Sequence, residues 1–350
     1  MKKVRFGLVG CGRISENHIR AFTDHRHECE LVAVCDIVPE RARAAAAAAS
    51  EAGGHAVTPY TDYAEMLKVE TLDAVSICTP SGLHTEHGIQ AADTGRHVVT
   101  EKPMAITLES CDRLIQACDR NRVQLLVVKQ NRMNTTLQLL KRAVDKGRFG
   151  RIYGAYVNVF WQRPQNYYDQ AKWRGTWEFD GGAFMNQASH YVDALHWLVG
   201  EVESVMAFTG TLARRIEAED SGSAVFRFRN GAIGSMNVSM LAYPKNMEGS
   251  VTIIGEKGTV KLGGIAVNKF EKWEFAEYDD DDKLVMESNY EPPNVYGFGH
   301  TAYYKNVLDV LRGRGEANTD GRSGRKSLEL ILAIYKSARD HQQVALPLQG

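Results

Sequence analysis

The sequence lacks the features that would assign it to several specialised classes of protein. Among its 350 residues, 42 lysines and arginines nearly balance 43 aspartates and glutamates, for a formal net charge of −1. The strong basic excess of a general nucleic-acid binder is therefore missing. No run approaches the roughly 18 consecutive apolar residues of a membrane span. We expect neither nucleic acid nor membrane as a partner, and the length predicts two globular domains.

Cysteine is present but lacks the spacing of a metal or disulfide motif. The chain contains no CxxC pair and no HExxH motif, and all its cysteines lie before residue 119. This distribution favours free, mostly buried thiols in a reducing cytoplasm over disulfides or a zinc site. We therefore predict a cytoplasmic protein without a metal. The six cysteines are Cys11, Cys29, Cys35, Cys78, Cys111 and Cys118.

The first ten residues, MKKVRFGLVG, place two lysines before an apolar run, as a signal peptide also does. The run is short, contains Arg5, and leads into glycines rather than into a small-residue cleavage site. We therefore interpret this segment as the first β-strand.

The first third of the chain alternates short apolar runs with helix-like segments. The apolar runs are VRFGLVG, ELVAVCD, AVSICTP, RHVVTEKP and VQLLVVKQ. Helical patterns such as HIRAFTDH and PERARAAAAAASEAG lie between them, and the alanine run in the second favours helix. This repetition predicts an α/β domain with a parallel sheet covered on both faces, which we place at residues 1–128.

The pattern changes near Gln130, and all five tryptophans lie beyond that point. IYGAYVNVF alternates with period two, FRFRNGAIGSMNV carries the hairpin pair Asn230-Gly231, and IIGEKGTVKL indicates a second tight turn. Two helices are predicted around 302–311 and 323–339, and the acidic run DDDDK at 279–283 indicates a solvated turn. We predict an α+β domain at 129–350 with a large, mainly antiparallel sheet.

The segment GLVGCGRISENH has the spacing of a dinucleotide-binding loop, with Gly10, Gly12 and, in place of a third glycine, Ser15. It follows a predicted strand and opens a predicted helix, whose free N–H groups favour a pyrophosphate. The next strand ends at Asp36, and an acid roughly 20 residues on binds the ribose of NAD. The alternative is a plain βαβ turn with Asp36 capping a helix. We favour dinucleotide binding because three features agree.

Three further segments carry polar side chains suited to chemistry. Lys102 in TEKP and His84 in CTPSGLH each follow a predicted parallel strand, and ligands bind beyond the carboxyl ends of such strands. The proline after the lysine fixes its own φ and restricts the lysine. Asn186, His190 and Asp193 are spaced i, i+4 and i+7, as on one helix face. A histidine or lysine serves as the base of an alcohol dehydrogenase, although a structural histidine is the alternative.

Together, GLVGCGRISENH, Asp36, CTPSGLH, TEKP and NQASHYVD resemble the glucose–fructose oxidoreductase/inositol dehydrogenase/MocA (Gfo/Idh/MocA) family over nearly the whole chain. The resemblance implies a Rossmann domain followed by an α+β domain with an open sheet, bound NAD(P), and oxidation or reduction of a sugar-ring carbinol. It places the catalytic lysine at Lys102 and the catalytic histidine at His190. The aspartate frequent four residues before that histidine is Asn186 here, an amide that orients a hydroxyl but cannot accept its proton.

From these motifs and the resemblance we predict NAD as the cofactor and Lys102, His190 and Asn186 as the catalytic residues. The predicted cofactor-binding residues are Gly10, Gly12, Arg13, Ile14, Asp36, Ile37, Thr79, Pro80, His84, Glu101, Lys102 and Gln130.

The segment QRPQNYYDQAKWRGTWEFDGG gathers cations and aromatic rings just before the histidine motif. Such cations suit a carboxylate or diphosphate, which arginine grips bidentately, and the alternative is a solvated loop. With KQNRMN and NQASHYVD, the segment is similar to the UDP-N-acetylglucosaminuronate 3-dehydrogenases of bacterial surface-sugar (lipopolysaccharide O-antigen) synthesis. The resemblance implies NAD-dependent oxidation of a UDP-sugar at C3. The predicted substrate-binding residues are Arg163, Tyr167, Lys172, Arg174, Asn186 and His190.

Two alternatives stay open. One is a dehydrogenase of the same family that acts on a free sugar or inositol. The other is a non-enzymatic regulator that keeps the fold and senses NAD or sugar, and the presence of both Lys102 and His190 argues against it. The open face of the antiparallel sheet implies a homo-oligomer, and the family resemblance implies a tetramer.

Overall fold

The computed structural model describes residues 2–292, 295 and 299–348. They form two compact units. The first runs to Gln130 and includes a later segment that ends at Arg325, and the second begins at Asn131 and resumes at Lys326. The division therefore differs from the single cut after residue 128 that the sequence suggested. The later segment joins the first unit because its Tyr304 ring packs on Phe22, with ring centroids 4.8 Å apart.

The first unit is an α/β sandwich around a six-stranded, all-parallel sheet. The strand order is β3-β2-β1-β4-β5-β6, the doubly wound arrangement of a Rossmann fold. The strands are β1 (Val4–Val9), β2 (Cys29–Cys35), β3 (Thr58–Tyr60), β4 (Ala74–Ile77), β5 (His97–Thr100) and β6 (Leu125–Val127). The helices between them are α1 (Ser15–Asp24), α2 (Pro39–Gly53), α3 (Tyr63–Val69), α4 (His84–Asp93) and α5 (Leu108–Arg120).

All five strands predicted for this unit are confirmed, as are both helical patterns. Sequence reasoning missed β3, which has three residues at the edge of the sheet and no apolar run. The helix predicted from PERARAAAAAASEAG is α2, which begins with Pro39 and is followed by Gly54 in a left-handed conformation at φ +70°. Proline suits the first helical position and glycine the end, so local sequence sets both boundaries.

The second unit is built on an eight-stranded sheet ordered β13-β12-β11-β7-β10-β9-β8-β14. Its first elements are α6 (Thr135–Asp145), β7 (Ile152–Phe160), α7 (Gln165–Asp169), α8 (Ser189–Val199), β8 (Val202–Gly210), β9 (Ser221–Phe228) and β10 (Ile233–Ser239). Then follow β11 (Glu248–Gly255), β12 (Gly258–Gly263), β13 (Lys269–Phe275), α9 (Val285–Ser288), α10 (Gly299–Leu311), α11 (Gly321–Asp340) and β14 (Val344–Ala345). Of these, α10 and the first turn of α11 pack with the first unit.

The mainly antiparallel character of this sheet is confirmed, with one exception: β7 and β10 pair in parallel. The predicted hairpins are the β9–β10 and β11–β12 pairs. The acidic run begins a short 3-10 helix, Asp280–Leu284, rather than an open turn, because Asp279 accepts the N–H of Asp281. Among the described residues, no helix is long and apolar enough to cross a membrane.

Candidate active site

The glycine-rich loop after β1 has the shape that a pyrophosphate needs. Gly10 has φ +92°, and a Cβ there would lie 2.6 Å from the backbone of Cys78 and Thr79. Gly12 is exposed, and a Cβ on it would meet no atom within 4 Å. Ser15 is buried at the start of α1, and its hydroxyl donates to the Gly12 carbonyl at 2.6 Å. The loop therefore leaves backbone exposed to a ligand at the N-terminus of a helix.

Asp36 directly follows β2 beside this loop and is buried. Its Oδ2 accepts the N–H of Cys11 at 2.8 Å, and its Oδ1 accepts the N–H of Val38 at 2.9 Å. The carboxylate thus stabilises the glycine loop through hydrogen bonds, a role that the sequence did not predict. Each oxygen keeps a second lone pair that can take a ribose hydroxyl. Together with the open backbone at Gly12, these residues fit NAD.

The other predicted cofactor residues of the first unit follow the same edge of the sheet. Arg13 and Ile14 lie in the turn before α1, and Ile37 is 89% exposed beyond β2. The remaining positions come after the carboxyl ends of β4, β5 and β6, which are neighbours. They are Thr79, Pro80, Glu101, Lys102 and Gln130.

His84 is buried, and both its ring nitrogens face backbone carbonyls. Nδ1 lies 2.7 Å from the Pro103 carbonyl, and Nε2 lies 2.7 Å from the Thr79 carbonyl. The ring therefore links the loops that follow β4 and β5. Its contribution to cofactor binding stays a prediction.

Lys102 is half-buried and follows Glu101, whose two carboxylate oxygens both have hydrogen-bond partners. Glu101 Oε1 lies 3.1 Å from His18 Nε2 and 3.3 Å from His300 Nε2, and its Oε2 accepts the Lys102 N–H at 3.1 Å. Burial acts to raise the pKa of Glu101, but the hydrogen bonds and charges of the two histidines outweigh it and hold that pKa well below its usual range. The same burial lowers the pKa of His18.

In the second unit, His190 is buried in the first turn of α8. The predicted helix face is wrong at its first member, because α8 begins at Ser189 and Asn186 lies in the preceding turn. Asn186 instead donates a hydrogen bond from its Nδ2 to Asp180 Oδ1. Asp180 Oδ2 in turn accepts the N–H of Gly175 at 2.7 Å. A buried carboxylate therefore orients the amide that replaces the family's aspartate.

Asp193, one turn after His190, forms a buried ion pair with Arg132. The guanidinium donates from Nε at 2.7 Å and from a terminal nitrogen at 2.8 Å, one bond to each carboxylate oxygen. Ser327 donates to the same carboxylate at 2.7 Å. The pair joins the KQNRMN segment to helix α8, and the bond from Ser327 adds helix α11.

Glu219 supports the loop that carries Asn186. Its Oε1 accepts the Phe184 N–H at 2.8 Å and the Tyr335 hydroxyl at 3.0 Å, and that hydroxyl accepts the Met185 N–H at 3.1 Å. Burial, aided by the charge of Asp220, raises the pKa of Glu219 to about 7 against these hydrogen bonds.

Because the pKa of Glu219 is raised from 4.5 to about 7 on folding, the folded state holds a proton that the unfolded state releases between these pH values. Its contribution to stability is present below pH 4.5 and lost as the pH rises through about 7. We expect Glu219→Gln to match the wild type in Tm at pH 5 and to exceed it at pH 8. Thermal unfolding at both pH values tests this, with exposed Glu203→Gln as the control. Equal Tm differences at both pH values would contradict it.

Two predicted substrate cations stack on one aromatic ring. The guanidinium of Arg174 lies 4.3 Å from the ring centroid of Tyr167, and that of Arg163 lies 5.4 Å from it. Lys172 is exposed two residues before Arg174. The structure thus brings together three of the four substrate-binding residues predicted in this segment, Arg163, Tyr167 and Arg174.

The residues that sequence reasoning missed are those that support the site. His18 was visible in the glycine-loop motif, but nothing marked it as a partner of Glu101. Asp180 lies in the segment QRPQNYYDQAKWRGTWEFDGG but was not singled out there. His300, Glu219 and Tyr335 lie outside every quoted segment, so only their three-dimensional contacts reveal them.

Two family models together cover most of the chain. The model described as the oxidoreductase family, NAD-binding Rossmann fold (Gfo/Idh/MocA) matches residues 4–129. The model described as the oxidoreductase family, C-terminal alpha/beta domain matches residues 141–346.

Two solved structures are similar over nearly the whole chain. The WlbA dehydrogenase from Bordetella pertussis, in complex with NADH and UDP-GlcNAcA, is 59% identical, with a TM-score of 0.94 and 99% of each chain covered. The WlbA dehydrogenase from Chromobacterium violaceum, also with NADH and UDP-GlcNAcA, is 54% identical, with a TM-score of 0.92 and 100% and 98% covered. A more distant relative, D-apiose dehydrogenase of Paraburkholderia graminis, is 27% identical over 99% of this chain and 90% of that protein.

Proposed function

Because the chain belongs to the Gfo/Idh/MocA oxidoreductase family, we propose that it uses NAD to oxidise the C3 hydroxyl of UDP-N-acetylglucosaminuronic acid (UDP-GlcNAcA) to a ketone. One observation supports this substrate: the two WlbA dehydrogenases described above, at 59% and 54% identity, hold NADH and UDP-GlcNAcA and match nearly the whole chain. The glycine loop and Asp36 supply the residues that would hold NAD.

NAD, when bound, accepts the hydrogen and both electrons of the C3–H bond. We assign the proton of the C3 hydroxyl to the amine of Lys102, so that the carbonyl forms as the O–H bond breaks. His190 assists this transfer, and Asn186 orients the sugar through an amide that Asp180 fixes. These roles agree with the position of Lys102 after β5 and of His190 in the first turn of α8.

The charge of the proposed substrate matches the cationic surface of the second unit. UDP-GlcNAcA carries a diphosphate and a carboxylate, and guanidinium groups grip both bidentately. We assign Arg163, Tyr167, Lys172 and Arg174 to these anionic groups. The stack of Arg163 and Arg174 on Tyr167 keeps both cations ordered before substrate binds.

A substrate panel tests the proposal directly. With NAD present, we expect absorbance at 340 nm to rise with UDP-GlcNAcA and to stay at background with free N-acetylglucosaminuronic acid, myo-inositol and D-apiose. Product analysis should place the ketone at C3. Activity on a free sugar or inositol, with none on the UDP-uronic acid, would contradict the proposal. No NAD reduction on any sugar would favour the regulator instead.

We further propose that the enzyme is a cytoplasmic homotetramer whose 3-keto product enters lipopolysaccharide synthesis through an aminotransferase. All six cysteines are unpaired, which fits a reducing compartment. One face of the second sheet carries an apolar row in register: Tyr156 on β7 and Val225 on β9 are exposed and Met206 on β8 is half-buried, with Ser235 of β10 between Tyr156 and Val225. Such a face suits a second copy of the chain, and light scattering gives the mass that decides it.

A further inference from the structure

The backbone around Lys102 is held from both sides by buried side chains. Its N–H donates to Glu101 Oε2 at 3.1 Å, and the carbonyl of the following proline lies 2.7 Å from His84 Nδ1. We propose that Glu101 and His84 are positioning residues that clamp the lysine backbone, and that His18 and His300 lock Glu101 in place. This inference rests on the proposed role of Lys102 and extends it to residues that act through the lysine.

The Glu101 side of the clamp is a carboxylate with both oxygens engaged. Two imidazole nitrogens contact Oε1, and the lysine amide contacts Oε2. Three N–H donors favour the charged form of a buried carboxylate, in agreement with its lowered pKa. This carboxylate also interacts electrostatically with Cys78, His84 and Tyr304.

A chain of hydrogen bonds sets the orientation of the first imidazole. Tyr304 Oη lies 2.7 Å from His18 Nδ1 and 2.6 Å from Ser76 Oγ. A neutral imidazole has one donor and one acceptor, so donation from Nε2 to Glu101 requires Nδ1 to accept from Tyr304. Tyr304 can then accept from Ser76. This series of hydrogen bonds connects α1, β4 and α10. It fixes the orientation of the His18 ring and thereby the position of the Glu101 carboxylate.

The His84 side ties the same loop to a second strand. Its Nε2 lies 2.7 Å from the Thr79 carbonyl, just after β4, while Nδ1 reaches the loop after β5. Because the ring is 1% exposed, it has no room to turn toward solvent. The ring therefore lies between the loops that follow two neighbouring strands, and because a neutral imidazole has a single N–H it donates to one of these two carbonyls.

His18, Glu101 and His300 also have the chemistry of metal ligands, since their ligand atoms lie within 4.8 Å of one another. Hydrogen bonding accounts for the cluster without an ion, because the Nε2 atoms of His18 and His300 both lie within hydrogen-bond distance of Glu101 Oε1. Retained metal is therefore one outcome of the test.

The decisive variant is Glu101→Gln, which leaves one acceptor oxygen for three N–H donors. The buried hydrogen bond of the Lys102 amide protects that amide from hydrogen–deuterium exchange. We expect the exchange to become at least about tenfold faster when this bond is weakened. We expect kcat with UDP-GlcNAcA to fall about 10²-fold, the cost of a misplaced catalytic group. KM for UDP-GlcNAcA should stay within about twofold, because both carboxylate oxygens of Glu101 are hydrogen-bonded within the protein.

If Glu101→Gln does not fold, a second variant still tests the proposal. Tyr304→Phe removes the hydroxyl beside His18 and keeps the ring, so we expect smaller changes in the same direction. The control is Tyr60→Phe, which removes a hydroxyl that donates to Glu70 at 3.0 Å on the edge strand β3 and should change neither exchange nor kcat.

Each result decides between stated alternatives. Unchanged exchange and kcat in both variants would overturn the clamp, as would faster exchange with unchanged kcat. One equivalent of zinc or iron retained by the purified wild type, measured by plasma mass spectrometry, would replace it with a metal site. Faster Lys102 exchange in a protein that does not oxidise UDP-GlcNAcA would keep the clamp and overturn the proposed function instead.

Discussion

Replacing Lys102 by methionine is expected to lower kcat for NAD reduction by about 10³-fold, the contribution of a positioned proton acceptor. Methionine keeps a chain of similar length and removes the amine. The backbone bond from residue 102 to Glu101 does not depend on the side chain and should persist. The NADH Kd, measured by fluorescence, should therefore change by less than about twofold, and Tm should be close to that of the wild type.

The matched control is the same substitution at an exposed lysine of the first unit. Lys68 lies in the last turn of α3 and is exposed. Lys68→Met should leave kcat, KM and NADH affinity unchanged. Near-normal turnover in Lys102→Met would remove Lys102 from the mechanism. A parallel loss of NADH binding would show that the lysine mainly binds cofactor.

Replacing Asp193 by alanine is expected to lower the free energy of unfolding of the second unit by about 3–5 kcal/mol. The substitution leaves the guanidinium of Arg132 buried without its bidentate partner and removes the acceptor of Ser327. All five tryptophans follow residue 130, so tryptophan fluorescence in urea reports on this unit. Because α8 also carries His190, kcat should fall even where the variant is folded.

An exposed ion pair supplies the comparison. Glu40 and Arg43 pair on α2, with side chains 73% and 63% exposed. Glu40→Ala should cost less than about 1 kcal/mol, because solvent screens such pairs. Arg132 and Asp193 are 8% and 2% exposed, so burial is what separates the two expected effects. A loss below about 1 kcal/mol in Asp193→Ala would show that the buried pair is not structural.

The residues that make up the motifs were predictable because each motif combines local geometry with chemistry. Glycine spacing after a strand, an acid at the end of the next strand, and a lysine before proline all lie within short segments. The face of α8 was less predictable, because helix spacing alone cannot tell that the helix starts after Asn186. Its start at Ser189 depends on the preceding loop, which Glu219 and Tyr335 hold.

By itself, the sequence determined the alternation of strands and helices, the dinucleotide loop and the family. The hydrophobic period, the glycine spacing and the capping residues are local properties, so they can be recognised in the sequence without the structure. Only the tertiary structure decided which buried groups support the proposed catalytic residues: Glu101 with His18 and His300, and Asp193 with Arg132. These partners lie 61 to 199 positions apart along the chain, and no local rule relates residues that only folding brings within hydrogen-bond distance.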